Sequence, residues 1–175
     1  LDIIPANIDL SAAEIELIDV EEKEYIVRNI IQEIKDEYDY IIIDCPPSLS
    51  MLTINAMTTA TSVLVPIQCE YYALEGLSQL IHTVDLVKSR LNPELEIVGV
   101  VFTMYDARTN LSLQVVENVK DNLHQNIYKT IIPRNIRLAE APSYGIPINQ
   151  YDPKSAGSES YMRLAEEVIN RETDQ

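Results

Sequence analysis

The segment YDYIIIDCPPSLSMLTINAM, Tyr38 to Met57, drives three consecutive isoleucines into an aspartate and follows it with two prolines. Tyr40–Ile43 reads as a short buried strand, and MLTINAMTTA, from Met51, as a helix. Pro46 and Pro47 lack backbone N–H donors and fix the chain direction, so the segment after the strand cannot join a ladder. Asp44, at the strand's end, has two physical uses. It can serve a Mg²⁺ ion, commonly through a bound water, or it can accept N–H groups of a loop or helix start. The pattern alone leaves both open.

Outward from this segment, strand and helix patterns alternate. LDIIPA, at the start, reads as a strand with a proline exit. SAAEIELI carries Ser11 and Glu14 at capping-box spacing. Ile26, Val27, Ile30, Ile31 and Ile34 follow helical spacing and predict a helix over Glu24–Tyr38. SVLVPI is a strand, and a helix runs from about Leu74 to Leu91 with Pro93 just beyond. EIVGVVF is a strand, Ser112 to about His124 a helix, and YKTII a strand stopped by Pro133. A loop then runs to Tyr151, and a last helix covers Ser155–Arg171. Wholly apolar strands alternating with helices predict an α/β fold with a doubly wound, mostly parallel sheet, one domain over residues 1–175. Ligands in such sheets bind at the carboxyl ends of the strands. Those ends carry Asp44, then Gln68 and Glu70, then Thr103 and Asp106, then Arg134 and Asn135.

The bulk numbers exclude several classes. At 175 residues and 46% hydrophobic, the chain can build a full core. No apolar run reaches the roughly 18–20 residues of a membrane span, and the start lacks the basic and small-residue marks of a secretory signal. A first residue of Leu rather than Met is read as the start of a piece of a longer chain. The net charge of −15 rules out a surface basic throughout. Residues 100–175 are nearly balanced, so any phosphate-binding patch belongs there. Cys45 and Cys69 read as buried free thiols. His82 and His124 read as structural or solvated, and Tyr71 and Tyr72 as packing residues.

The Tyr38–Met57 block, VPIQCEYYALEGLSQL, FTMYDARTNLSLQVVENV and IIPRNIRLAEAPSYGIPINQYDPKSAGSESY resemble, in order, successive blocks of the ParA/Soj family of chromosome- and plasmid-partitioning ATPases. That resemblance implies ATP and Mg²⁺ as cofactors, with Asp44 near the metal through water. It implies that Cys45, Pro46, Pro47 and Ser48 form the switch that senses the γ-phosphate. Thr103, Met104, Pro133, Arg134 and Asn135 would contact the nucleotide. Arg108 and Arg137 would grip DNA without reading its sequence, a task suited to guanidinium groups. The implied partners are a ParB-like protein, non-specific DNA and a second copy in an ATP-bound homodimer. The implied location is cytoplasmic and nucleoid-associated. A MinD-like membrane relative fits less well, because YMRLAEEVINRETDQ ends acidic rather than as a basic amphipathic helix.

A phosphate-cradling loop needs clustered glycines and a lysine. The four glycines here, Gly76, Gly99, Gly145 and Gly157, are scattered, and no lysine sits in a GK[ST] setting. Neither the loop lysine nor the water-orienting aspartate of the family lies in these residues, so no catalytic residue is assigned. The expectation is a chain unable to hydrolyse ATP alone. The alternative is a binding module that kept the fold without the phosphate loop.

Overall fold

The computed structural model describes residues 1–46, 48, 50–122 and 126–173, which form two compact units. The first comprises Leu1–Val63 with Ile81–Glu96, and the second Leu64–Leu80 with Ile97–Gln175. The elements are α1 (Ala13–Glu16), α2 (Ile26–Gln32), α3 (Met51–Thr59), β1 (Ser62–Gln68), α4 (Ala73–Arg90), β2 (Glu96–Tyr105), α5 (Asn110–Asn122), β3 (Ile127–Pro133), α6 (Ile136–Glu140), α7 (Ile148–Tyr151) and α8 (Ala156–Thr173). The strands form one parallel sheet in the order β1-β2-β3, flanked by helices, as the alternating pattern predicts.

The first unit is organised on α3. Ser50 caps it, its hydroxyl accepting the Thr53 N–H at 3.4 Å. Asn55, almost fully buried, donates from Nδ2 to the carbonyls of Lys23 (2.7 Å) and Met51 (3.0 Å), and its Oδ1 accepts the Val27 N–H at 3.1 Å. One side chain thus fixes the path of residues 23–27. Asn92 does the same at the other end of α3, donating to the carbonyls of Met57 (2.9 Å) and Ala60 (2.8 Å). These are acceptors that a helix terminus leaves without intrahelical partners.

Several expected elements of this unit differ. LDIIPA and Tyr40–Ile43 are not strands. Neither has a ladder partner among the described residues, and an extended segment becomes a strand only when a neighbour takes its N–H and C=O groups. Ile42 is consequently 90% exposed. Tyr38, just before the second segment, donates from its Oη to Asp2 Oδ2 of the first at 2.8 Å. The capping box at Ser11 does not form, because Asn7 caps an earlier 3-10 turn, Ile8–Ala12, and the Ser11 hydroxyl donates to the Ile8 carbonyl. The helix predicted over Glu24–Tyr38 is α2 flanked by 3-10 turns at Lys23–Tyr25 and Lys35–Glu37.

In the second unit β2 is central, and Gly99 to Phe102 are buried without alternation. That pattern requires cover on both faces. β1 alternates instead, burying Val65 and Ile67 while Pro66 and Gln68 stay exposed, as suits the edge of this sheet. Tyr128 of β3 lies over Gly99 so closely that a Cβ there would meet its ring at 2.6 Å. Val101, Tyr128 and Ile132 form a core with Leu64, Leu138, Leu164 and Val168 packed against it. The expected loop before Tyr151 is built from α6, a 3-10 turn over Ala141–Tyr144 closed by Gly145 at φ 66°, and α7.

Register between β2 and β3 is irregular. Val100 pairs with Ile127 and Phe102 with Ile131, so two residues of β2 span four of β3. The N–H groups of Lys129 and Thr130 are taken by the Glu167 carboxylate of α8, at 2.8 and 2.9 Å. Arg171, one turn on, bonds Glu167 (2.9 Å) and the Ile127 carbonyl (2.7 Å) and sets its guanidinium 4.1 Å from the Tyr128 ring centroid. Burial pushes the Glu167 pKa up, but the Lys129 and Thr130 donors and Arg171 outweigh it, and the net shift is downward. A lowered folded pKa means stability present above the ordinary glutamate range and lost as pH falls through the folded value. Glu167→Ala should therefore cost about 2 kcal/mol at neutral pH. Glu167→Gln should cost less, and both differences should shrink in acid. Urea denaturation at several pH values checks this.

Candidate functional site

At the carboxyl rim of the sheet the strand ends are joined by backbone and side-chain hydrogen bonds. The Thr103 carbonyl accepts the Cys69 N–H at 3.0 Å, and the Thr103 hydroxyl donates to the Ile67 carbonyl at 3.1 Å. One residue therefore binds β2 to β1 in both directions. Tyr105 does the corresponding work toward β3, its carbonyl accepting the Arg134 N–H at 2.8 Å. Between them, Phe102 pairs with Ile131 and Tyr105 with Pro133, so three residues of β2 face two of β3. The extra residue makes a bulge, and Met104 takes it up at φ 54°, a left-handed conformation uncommon outside glycine. Bulges of this kind re-aim side chains at sheet rims. Met104 is partly exposed there.

Asn135 caps α6, its Oδ1 accepting the Arg137 N–H at 2.8 Å. Arg134 reaches Glu70 at 3.5 Å, both side chains more than half exposed. Thr103, Met104, Pro133, Arg134 and Asn135 are thus brought to one rim. Cys69 lies beneath it, fully buried, and burial pushes its thiol up to about 11. Cys45, expected to be buried, is exposed, because the segment carrying it is not a covered strand.

The two arginines expected to meet DNA already have carboxylate partners. Arg108 chelates Asp106, donating from Nε to Oδ1 at 2.9 Å and from Nη2 to Oδ2 at 2.7 Å, and its backbone N–H donates to Oδ1 at 3.0 Å. These bonds, the side-chain ones first, hold the Asp106 carboxyl well below the usual carboxylate range. The Asp106 carbonyl accepts the Thr109 hydroxyl at 3.0 Å, and its N–H donates to the buried Ser112 hydroxyl at 3.3 Å, which anchors the start of α5. Arg137 donates to Glu140 at 2.8 Å and lies 3.4 Å from Asp152. Tyr151 also donates to Glu140, at 3.1 Å, and stacks on Tyr144. The Arg108 and Arg137 side chains remain 86% and 50% exposed, so an incoming phosphate can compete for either guanidinium.

Asp44 and its neighbours lie in the first unit. Asp44 is exposed, and no hydrogen bond or ion pair engages it among the described residues. Cys45 and Pro46 are exposed beside it, and the Ser48 carbonyl accepts the Thr53 hydroxyl at 2.6 Å, tying the segment to α3. Pro47 and His124 lie outside the described residues, and His82 is exposed on α4. Among the described residues no group of three His, Cys, Asp or Glu side chains could hold a metal by itself. A lone exposed carboxylate suits Mg²⁺, which keeps several waters and takes one or two protein carboxylates beside phosphate oxygens. No helix of the described residues is long and apolar enough to cross a membrane.

Sequence reasoning missed the bulge at Met104, since methionine carries no signal for a left-handed residue. It also missed Asn55 as the polar hub of α3. Tyr71 and Tyr72, read as packing residues, are 77% and 75% exposed.

Two substitutions separate the bulge from the stitch. Met104→Gly should leave the fold equally stable or more stable by up to about 1 kcal/mol, because glycine adopts positive φ without strain. Thr103→Val, which removes only the hydroxyl, should cost about 1 kcal/mol. Thermal melts of the two variants check the contrast.

A family model described as an AAA domain matches residues 1–97. The chain is 58% identical over 168 residues to the sporulation initiation inhibitor protein Soj of Bacillus subtilis, covering 96% of this chain and 66% of that protein. It is 51% identical over 169 residues to the chromosome-partitioning ATPase Soj of Treponema pallidum, covering 97% and 67%. Among solved structures, cobyrinic acid a,c-diamide synthase from Mycobacterium smegmatis, with bound ADP and magnesium, superposes with a TM-score of 0.82 at 34% identity, over 97% of this chain and 62% of that one. The chain spans a little under two thirds of the Bacillus protein. A parallel sheet of this order, the polar residues gathered at its carboxyl rim, and identities above one half over nearly every residue together make the chain a member of the ParA/Soj family of chromosome-partitioning ATPases.

Proposed function

We propose that this chain forms part of an ATP-dependent partitioning protein whose nucleotide state switches dimerisation and non-specific DNA binding. The observation that carries the reading is the convergence of Thr103, Met104, Pro133, Arg134 and Asn135 on the rim where parallel α/β sheets take their ligands. The roles divide by what each group has left to offer. Thr103 spends both its carbonyl and its hydroxyl on β1, so it positions the rim. Asn135 spends its Oδ1 on α6, which leaves its amide donor for a ring nitrogen of the base. Met104, held outward by the bulge, supplies an apolar surface for the base to lie against.

Asp44 is the residue to hold Mg²⁺ through water, and the segment Cys45, Pro46, Pro47 and Ser48 is the switch beside it. Mg²⁺, when bound, neutralises charge on the phosphates. Arg108 and Arg137 are the DNA contacts, exchanging Asp106 and Glu140 for backbone phosphates. A ParB-like protein is the partner that stimulates turnover, and the cytoplasm, on the nucleoid, is the place of action. These 175 residues contain no glycine-rich phosphate loop, so the chain by itself is expected not to turn over ATP. The rim and the kinship support this reading.

In the full-length protein, Asn135→Ala should weaken ATP binding roughly tenfold, the loss of one well-placed hydrogen bond. The double variant Arg108→Ala/Arg137→Ala should lower DNA affinity and reduce the slope of log affinity against log salt by about 2. An unchanged slope rules out the arginine assignment. Measurable Mg-ATP turnover by the isolated chain would contradict the view that the phosphate loop must come from elsewhere.

A further inference from the structure

Beyond the rim, the second unit carries an open groove of about 670 Å³ between the start of α4 and one face of α5. Tyr71, Tyr72 and Glu75 form one wall; Leu111, Gln114 and Val115, at i, i+3 and i+4 of α5, form the other. The two tyrosine rings meet edge to face, centroids 5.2 Å apart and planes at 89°. Both are about three-quarters exposed, the state of an aromatic pair lacking a partner rather than one packed in a core. Aromatic faces are electron-rich, and two set at a right angle present a corner that attracts a cation. Glu75 adds a full negative charge beside it, and among the described residues no ion pair or hydrogen bond engages that carboxylate. No basic side chain lines the groove among the described residues.

We propose that this groove binds an extended peptide segment of a partner protein through an arginine seated against Tyr71 and Tyr72, with Glu75 as its counter-ion. The planar guanidinium stacks on a tyrosine face and bonds a carboxylate at once, which an ammonium does less well. Its methylene stem lies along Leu111 and Val115, and the Gln114 amide meets the peptide backbone. The charge of −15 draws a basic segment toward the chain over long range. A phosphate or nucleic acid is disfavoured by Glu75 and by the lack of basic lining. The proposal goes beyond the nucleotide reading and does not depend on it.

Anisotropy of a short fluorescein-labelled peptide with one central arginine between leucine and alanine tests the proposal on the full chain without nucleotide. Its twin carries citrulline, the neutral isostere. The arginine peptide should bind at least about tenfold more tightly, the size of a partly desolvated cation–π contact reinforced by a carboxylate. Tyr71→Ala/Tyr72→Ala should abolish that preference, Tyr71→Phe/Tyr72→Phe should keep it, and Glu75→Gln should reduce it several-fold. Equal binding of the two peptides, no binding up to about 1 mM, or a preference that survives the alanine pair would each overturn the proposal. So would sedimentation showing that the tyrosines hold a homodimer while the arginine preference is absent.

Discussion

A covered sheet cannot leave its backbone N–H and C=O groups unpaired, and here that constraint is most demanding where the three strands end. Thr103 meets it by giving its carbonyl to Cys69 and its hydroxyl to Ile67, and Tyr105 meets it by accepting Arg134. Between these two fixed residues the chain has one residue more than the ladder can use. Met104 absorbs it at positive φ. The bulge is therefore a consequence of two strong anchors set close together, and the exposed Met104 side chain follows from it. Local strain of this kind persists only where the surroundings over-determine it.

The other register irregularity in the sheet is handled differently. Along β3, two N–H groups that fall out of the ladder are recovered by a carboxylate from α8, with Arg171 closing the circuit to Ile127 and Tyr128. That arrangement occupies the backbone of a strand at the end of the sheet order, the place where unpaired strands invite unwanted pairing. The carboxylate is worth most while ionised, so this part of the second unit is sensitive to acid. In the first unit polar side chains again do the fixing, with Asn55 and Asn92 supplying hydrogen bonds at opposite ends of α3.

The sequence was most legible where hydrophobic pattern and chain connectivity agree. β1, α4, β2, α5 and β3 fall within a few residues of their expected positions, because an apolar strand between long amphipathic helices admits few other readings. It was least legible where the outcome depends on a partner. LDIIPA and Tyr40–Ile43 carry strand composition, yet composition supplies no neighbour to complete a ladder. Ser11 and Glu14 have capping-box spacing, but Asn7 starts the turn first. At the rim, the residue types were readable from the strand ends, and their mutual bonds were not. The pairing of Arg108 with Asp106 two positions away, and of Arg137 with Glu140, was visible only in three dimensions.

The central claim is that the rim around Met104 and Asn135 is where the base of a nucleotide lies. Photolabelling of the full-length protein with 8-azido-ATP and Mg²⁺, followed by peptide mapping, addresses it directly. The account predicts label in the peptides carrying residues 103–106 and 133–137, suppressed by excess ATP. Label confined to other peptides, under conditions where ATP still competes, would contradict it.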